Sequence, residues 1–368
     1  MRTLLIHLVP KNPLIKSEIN LEEIKGLLDT YGTLEIIRVI QRKDDPSGDT
    51  YIGRGKVQEI TRIITEEKID AVIISNQIKP SQIFNLQQIF FSLTKKEVEV
   101  WDRIMLILKI FEKHAKTSEA KLQIELARMR HMGPRIYGLG GTFFSRQGGG
   151  VGTRGIGETN IELMKRHWSR EIKKVNDKLQ KLEDNRAKQL VVRKEKGITS
   201  VAIVGYTNAG KTTLFNALTG KNKYVQNELF ATLDSVTGKC FLPNLQKEIL
   251  VSDTIGFMSN LPLKLIQAFK STLLESIHAD LLLHVIDICN KEMKNKIVTV
   301  NQILSQISFN NTKTIYVFNK IDLLENNNLI DQAADEYQPN SPVFISSAKN
   351  IGLDELFRKI ESAVEFVE

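Results

Sequence analysis

The octapeptide Gly205-Tyr206-Thr207-Asn208-Ala209-Gly210-Lys211-Thr212 lies between an apolar run, Thr199 to Val204, and an amphipathic stretch that opens at Thr213. A strand that enters a glycine loop and leaves it as a helix gathers backbone N–H groups and a helix N-terminus around one point, which is a seat for phosphate. The spacing G-x-x-x-x-G-K-T adds Lys211 to bridge the β- and γ-phosphates, with a catalytic as well as a binding role, and the Thr212 hydroxyl to ligate Mg²⁺. Residues 199–368 again alternate strand and helix patterns, so an α/β nucleotide-binding domain with a mostly parallel sheet flanked by helices is expected there.

Three further elements follow in order. Glu248 to Ser252 is a strand pattern ending in Asp253-Thr254-Ile255-Gly256, about forty residues after the phosphate loop. A carboxylate at that strand tip can hold the magnesium shell through water, and the Gly256 amide can approach a γ-phosphate because no Cβ blocks it. Tyr316 to Phe318 is a buried strand pattern leading into Asn319-Lys320-Ile321-Asp322. Asp322 can accept from guanine N1–H and the exocyclic amine, a donor pair that adenine lacks. Lys320 can lie along the base, and Asn319 can tie its loop to the phosphate loop. A last strand pattern, Val343 to Ser346, leads into Ser347-Ala348-Lys349, where a backbone amide could bond guanine O6. The sequence thus selects GTP and GDP over adenine nucleotides.

Between the first and second elements lies Phe230-Ala231-Thr232-Leu233-Asp234. Thr232 is the candidate switch threonine that joins the magnesium shell, and with it the catalytic site, only when a γ-phosphate is present. The residue after Gly256 is Phe257, where many GTPases carry a water-orienting glutamine. Slow intrinsic turnover that a partner accelerates is the expected behaviour.

No apolar run approaches the eighteen or more residues of a membrane span, and the short Thr3–Val9 run is followed at once by Pro10 and Lys11, so it reads as a first strand. Two cysteines, Cys240 and Cys289, are too few for a disulfide framework or a four-ligand zinc site. A cytoplasmic monomer is expected, with peripheral membrane association left open. In the first hundred residues, Leu4–Val9, Leu34–Ile40, Ala71–Ser75 and Glu97–Val100 read as strands. Leu21–Thr30, Val57–Glu67 and Pro80–Phe91 read as helices, giving a small α/β domain over residues 1–101.

Residues 102–198 hold 22 Lys+Arg against 11 Asp+Glu, net +11, while the remainder of the chain carries −3. That segment reads as a helical hairpin arm. Ala115–Met132 runs without a breaker to Gly133-Pro134. After residue 157, Ile161, Met164, Trp168, Ile172, Val175, Leu179 and Leu182 form an apolar stripe over a helix reaching about Arg193. Between the helices, residues 138–157 hold nine of the 22 glycines. The G-x-G-x-x-G match at 150–155 lacks the preceding buried strand of a dinucleotide site. Arg146, Gly149, Gly150 and Arg154 are instead candidates to bring backbone and charge against RNA, the alternatives being a solvated basic face and a tip with no ligand. Residues 199–368 complete the division as the nucleotide-binding domain.

The chain resembles the HflX-type ribosome-associated GTPases, which are related to the translation-factor P-loop GTPases. The likeness is carried by YIGRGKVQEI (51–60), SRQGGGVGTRGIGET (145–159), GYTNAGKTTLFNALT (205–219), LFATLD (229–234), DTIGFMSNLP (253–262) and ADLLLHVID (279–287). It implies an N-terminal domain with a projecting helical arm, binding to the large ribosomal subunit and its RNA near the peptidyl transferase centre, and a role in splitting or rescuing stalled ribosomes under stress. Ile156 stands in place of the usual proline, Asn160 in place of the glutamine, and Ser235–Lys239 lacks the expected proline and arginine. After the helix pattern Leu353–Val367, the further C-terminal domain of longer members is expected to be lacking. Two other readings compete: a regulatory RNA-binding module that senses GTP against GDP with negligible turnover, and an N-terminal domain that also binds ATP.

Overall fold

The computed structural model describes residues 1–9, 21–33, 35–42, 45–137, 160–221, 230, 236–259, 278–306, 312–326 and 328–365. The chain divides into two compact units, the first comprising 1–113 with 124–178 and the second 114–123 with 179–368.

In the first unit, strands β1 (Arg2–Val9), β2 (Glu35–Arg42), β3 (Ala71–Ile74) and β4 (Glu99–Asp102) form a parallel sheet in the order β2-β1-β3-β4. Helices α1 (Leu21–Tyr31), α2 (Arg54–Glu66) and α3 (Pro80–Thr94) alternate with them. The β3 residues Ala71 to Ile74 are all fully buried, as a parallel strand covered on both faces must be, which explains the absence of polar alternation in the sequence. Each element lies within a few residues of its expected position. The last strand begins two residues later than the sequence pattern suggested and ends at Asp102, whose carboxylate accepts from Met105 N at 2.9 Å and so caps helix α4 (Arg103–His114). His131, on helix α5 (Ser118–Tyr137), bonds the same buried carboxylate at 2.9 Å.

Helix α4 is buried from Arg103 to Leu108 and again at Ile110 and Phe111, so this stretch packs into the first unit. Its Arg103 pairs with Glu23 of α1 at 2.9 Å, with side chains only 5% and 11% exposed. Helix α5 breaks from helical geometry at Gly133 (φ 67°, ψ 174°), where the glycine-proline pair had signalled an end. The long helix α6 (Asn160–Glu195) contributes buried Trp168 and Val175 to this unit, and Arg130 donates to Asn176 Oδ1 at 3.2 Å. At 36 residues it spans about 54 Å at 1.5 Å per residue.

In the second unit, β5 (Ser200–Gly205), β6 (Val236–Leu242), β7 (Lys247–Asp253), β8 (Leu281–Asp287), β9 (Lys313–Asn319) and β10 (Val343–Phe344) form a sheet in the order β10-β9-β8-β5-β7-β6. Only the β6–β7 pair is antiparallel. Helices α7 (Lys211–Thr219), α8 (Met293–Gln306), α9 (Asn328–Glu336) and α10 (Leu353–Val364) flank it. Leu281, Leu283 and Val285 of β8 face a core completed by Leu214, Phe215, Leu356 and Ile360, whereas Ile286 joins Ile297, Tyr316 and Phe318 on the opposite side. The period-2 alternation of β8 therefore serves two cores. Also in this unit, Arg186 of α6 pairs with Glu119 of α5 at 3.3 Å. Among the described residues no helix is long and apolar enough to cross a membrane.

Arg103→Ala removes one partner of a buried ion pair, so it should destabilise the first unit by about 3–5 kcal/mol, whereas a paired Arg103→Met, Glu23→Leu change should recover most of that. Both tryptophans, Trp101 and Trp168, belong to this unit. Urea unfolding followed by their fluorescence reads the difference directly.

Candidate functional site

The site forms where β5, β7 and β9 end on one edge of the second sheet. Gly205 closes β5, and Gly210 (φ 94°) opens α7 from a left-handed conformation that few other residues adopt. A Cβ on Gly210 would also strike the Asn319 carboxamide, so the glycine permits two loops to touch.

Asn319 sits at that contact, 2% exposed. Its Nδ2 donates to Ala209 O at 2.9 Å, and its Oδ1 accepts from Ser347 N at 2.9 Å. The phosphate-loop, N-K-I-D and S-A-K segments are thereby joined through one buried side chain. Lys320 adopts φ 69°, and its ammonium lies 2.7 Å from Asp287 Oδ2 at the end of β8. Asp287 also accepts from Cys289 N at 3.1 Å. Asp322 follows in a short 3-10 turn, Ile321–Leu323. A hydrogen bond from the Ser346 side chain, aided by its own backbone amide and the nearby Lys349, holds its carboxyl below the usual range despite desolvation. It therefore presents an ionised acceptor, as guanine recognition requires. Lys349 Nζ lies 3.6 Å from this carboxylate, and Lys349 N donates to Ser346 Oγ at 3.2 Å.

At the phosphate end, Lys211 is buried and donates to Tyr206 O at 2.7 Å. Burial pushes its ammonium down to about 8, against the opposing pull of the Asp253 carboxylate. Thr212 Oγ1 donates to Asp253 Oδ2 at 3.0 Å, and Asp253 is fully buried. A hydroxyl and a carboxylate meeting at the mouth of a phosphate loop are the hard oxygen donors that suit Mg²⁺, with phosphate oxygens and water to complete its shell. The fit is thus favourable, and no group of three or more His, Cys, Asp or Glu among the described residues forms a metal cage of its own.

The D-T-I-G segment is knitted to the phosphate loop. Thr254 Oγ1 donates to Ile203 O at 2.7 Å, Phe257 N to Gly205 O at 3.0 Å, and Thr207 N to Phe257 O at 2.7 Å. Tyr206 adds its hydroxyl, 3.0 Å from Ser259 Oγ and accepting from Ser259 N at 2.8 Å. The Phe257 side chain is 2% exposed, so the residue at the usual glutamine position faces the interior.

Every predicted residue of the phosphate, D-T-I-G, N-K-I-D and S-A-K segments is brought to this edge. Of 230–234, Phe230 is described and buried, while Ala231, Thr232, Leu233 and Asp234 lie outside the described residues, as do the tip candidates Arg146, Gly149, Gly150 and Arg154. Sequence reasoning missed Asp287, Ser346 and Ser259. The first carried a faint signal, as a carboxylate closing the apolar run LLLHVID; the two serines carried none.

Models of known families match most of the chain: the GTP-binding GTPase N-terminal region at residues 18–112, the GTP-binding GTPase middle region at 114–193, and the 50S ribosome-binding GTPase at 200–320. The GTPase HflX of Caldanaerobacter subterraneus is 44% identical over 346 residues, covering 94% of this chain and 77% of the relative. The chain belongs to the HflX family of GTPases. GTPase HflX of Escherichia coli is 35% identical over 341 residues, 93% of this chain and 78% of its own. The chain is also similar to a GTP-binding protein from Sulfolobus solfataricus crystallised with GDP, 26% identical over the full length of both chains with a TM-score of 0.51. The second unit is accordingly a P-loop GTPase domain, and the protein is a GTP hydrolase.

If Asp322 selects guanine, Asp322→Asn exchanges an acceptor for a donor facing the base. Affinity should move from GTP toward xanthosine triphosphate by at least about tenfold in ratio, as competition binding will show; unchanged GTP affinity contradicts the assignment.

Proposed function

We propose that the protein hydrolyses GTP slowly by itself and rapidly on the large ribosomal subunit, acting as a cytoplasmic monomer in splitting or rescuing ribosomes under stress. The observation that carries the reading is Phe257. Its side chain is buried and its backbone N–H and C=O are both engaged by the phosphate loop, so it cannot orient the attacking water. A partner that reorders the site is the natural remedy, and the match of residues 200–320 to the 50S ribosome-binding GTPase model names the class of partner.

In this reading residues 205–212 cradle the phosphates, with Lys211 on the β- and γ-phosphates, and the Gly256 amide meets the γ-phosphate. Thr212 and, with triphosphate bound, Thr232 would hold Mg²⁺, with Asp253 acting through water; such an ion would supply neutralisation of the phosphate charge. Asn319 fixes the base loop against the phosphate loop, Asp322 reads the guanine edge, Lys320 lies along the base and the 347–349 amides address O6. Water attacks the γ-phosphorus as the bond to the β–γ bridging oxygen breaks, releasing GDP and phosphate. The basic arm of residues 102–198 contacts ribosomal RNA through its 138–157 tip, where Arg146 and Arg154 meet phosphates with Gly149 and Gly150 allowing close approach. Its net charge of +11 supports that role.

The test is the GTP hydrolysis rate with and without purified large subunits, in the full chain and in a variant lacking residues 138–157. Stimulation of at least about 10²-fold that vanishes with the tip is expected, a fraction of what activating partners reach in related systems. No stimulation in either protein would favour a nucleotide-sensing module of negligible turnover.

A further inference from the structure

We propose that Asp287, which closes β8, is a positioning residue for guanine nucleotides: its carboxylate anchors the Lys320 side chain, so that the lysine is ordered before the base arrives. Strands β8 and β9 end side by side, with Asp287 opposite Asn319. The Lys320 ammonium lies 2.7 Å from Asp287 Oδ2, and the two side chains are 25% and 21% exposed, so solvent screens the pair weakly. The carboxylate is itself fixed, since its Oδ1 accepts from Cys289 N at 3.1 Å within the turn that follows the strand.

The same turn holds the lysine backbone. Ile288 N donates to Asn319 O at 3.2 Å, and Cys289 Sγ lies 3.4 Å from Lys320 O. Lys320 has φ 69°, a left-handed conformation uncommon for a residue with a Cβ, and it stands between Asn319 and the short turn that carries Asp322. Residues 287–289 therefore grip one lysine at both its carbonyl and its ammonium. A free lysine has more rotamers to lose on closing against a ligand than most side chains, and an ammonium anchored in advance does not incur that loss on binding. Asp287 need not touch the base to have this effect. It acts on any purine that lies against Lys320, whereas Asp322, assigned above to the guanine edge, discriminates between purines.

This inference rests on residues 319–322 being the base-recognition loop, and the test separates the two. Asp287→Asn keeps the volume and an acceptor for Cys289 N but removes the charge; Lys320→Met keeps a straight apolar stem but removes the ammonium. Calorimetric affinities for GDP and for inosine diphosphate, whose base lacks the exocyclic amine, are measured on the full chain for both variants and for the double variant. Asp287→Asn should lower both affinities about three- to tenfold, leave their ratio at the wild-type value, and have no further effect in the Lys320→Met background. Wild-type affinity in Asp287→Asn beside weakened binding in Lys320→Met would overturn the proposal. So would an equal loss in both backgrounds, which would make Asp287 a structural part of the turn, or a changed ratio of the two nucleotides. Wild-type GDP affinity in Lys320→Met would instead overturn the placement of Lys320 along the base.

Discussion

Asn319 donates to Ala209 O and accepts from Ser347 N, each at 2.9 Å and both out of reach of water. Both ends of the carboxamide are used, with the nitrogen holding the loop around the phosphates and the oxygen holding the loop around the base. Three segments, the first of them more than a hundred residues of chain from the other two, are thereby fixed against one another before any ligand arrives. Replacing the side chain would leave a buried N–H and C=O unsatisfied on opposite sides, at about 1–3 kcal/mol each. Position 210 suits glycine on two counts: its backbone is left-handed, and a side chain there would occupy the carboxamide's place.

Around that cross-tie the electrostatics are arranged by function. The Ser346 hydrogen bond, with Lys349 nearby, holds the Asp322 carboxyl below its usual range, and Lys320 is held by Asp287, so the base end presents fixed charges. At the phosphate end Lys211 is desolvated and its ammonium lowered to about 8. A polyphosphate beside it restores the favourable setting for that charge. Phe257 is bound by its backbone and buried by its ring, which ties the D-T-I-G segment to the phosphate loop rather than to water.

Much of this was legible in the sequence because the signals were local. The strand, glycine loop and helix of Thr199 to Thr219, the strand-end Asp253 and the strand-end Asn319 each announce themselves within about ten residues, and all emerge on one edge because parallel strands share their C-terminal ends. The pairing of β1 with β3, the burial of α4 and the Arg103–Glu23 pair were not legible, since they depend on residues distant in sequence that meet only after the sheet forms. Ser346 and Ser259 were missed for the same reason. Each is an ordinary serine whose role comes from a partner supplied by another segment, Asp322 for one and Tyr206 for the other. The Glu97–Val100 pattern was shifted because Asp102, polar in the sequence, is paired in the sheet and capping α4 at once.

One buried side chain makes the phosphate and guanine loops a single binding unit, and calorimetric titration of Asn319→Ala with GDP and with GMPPNP is its test. Both affinities should fall by the same factor, at least about tenfold, since the lost hydrogen bonds hold loops common to both ligands. Wild-type affinity for GDP, or a loss confined to the triphosphate analogue, would contradict it.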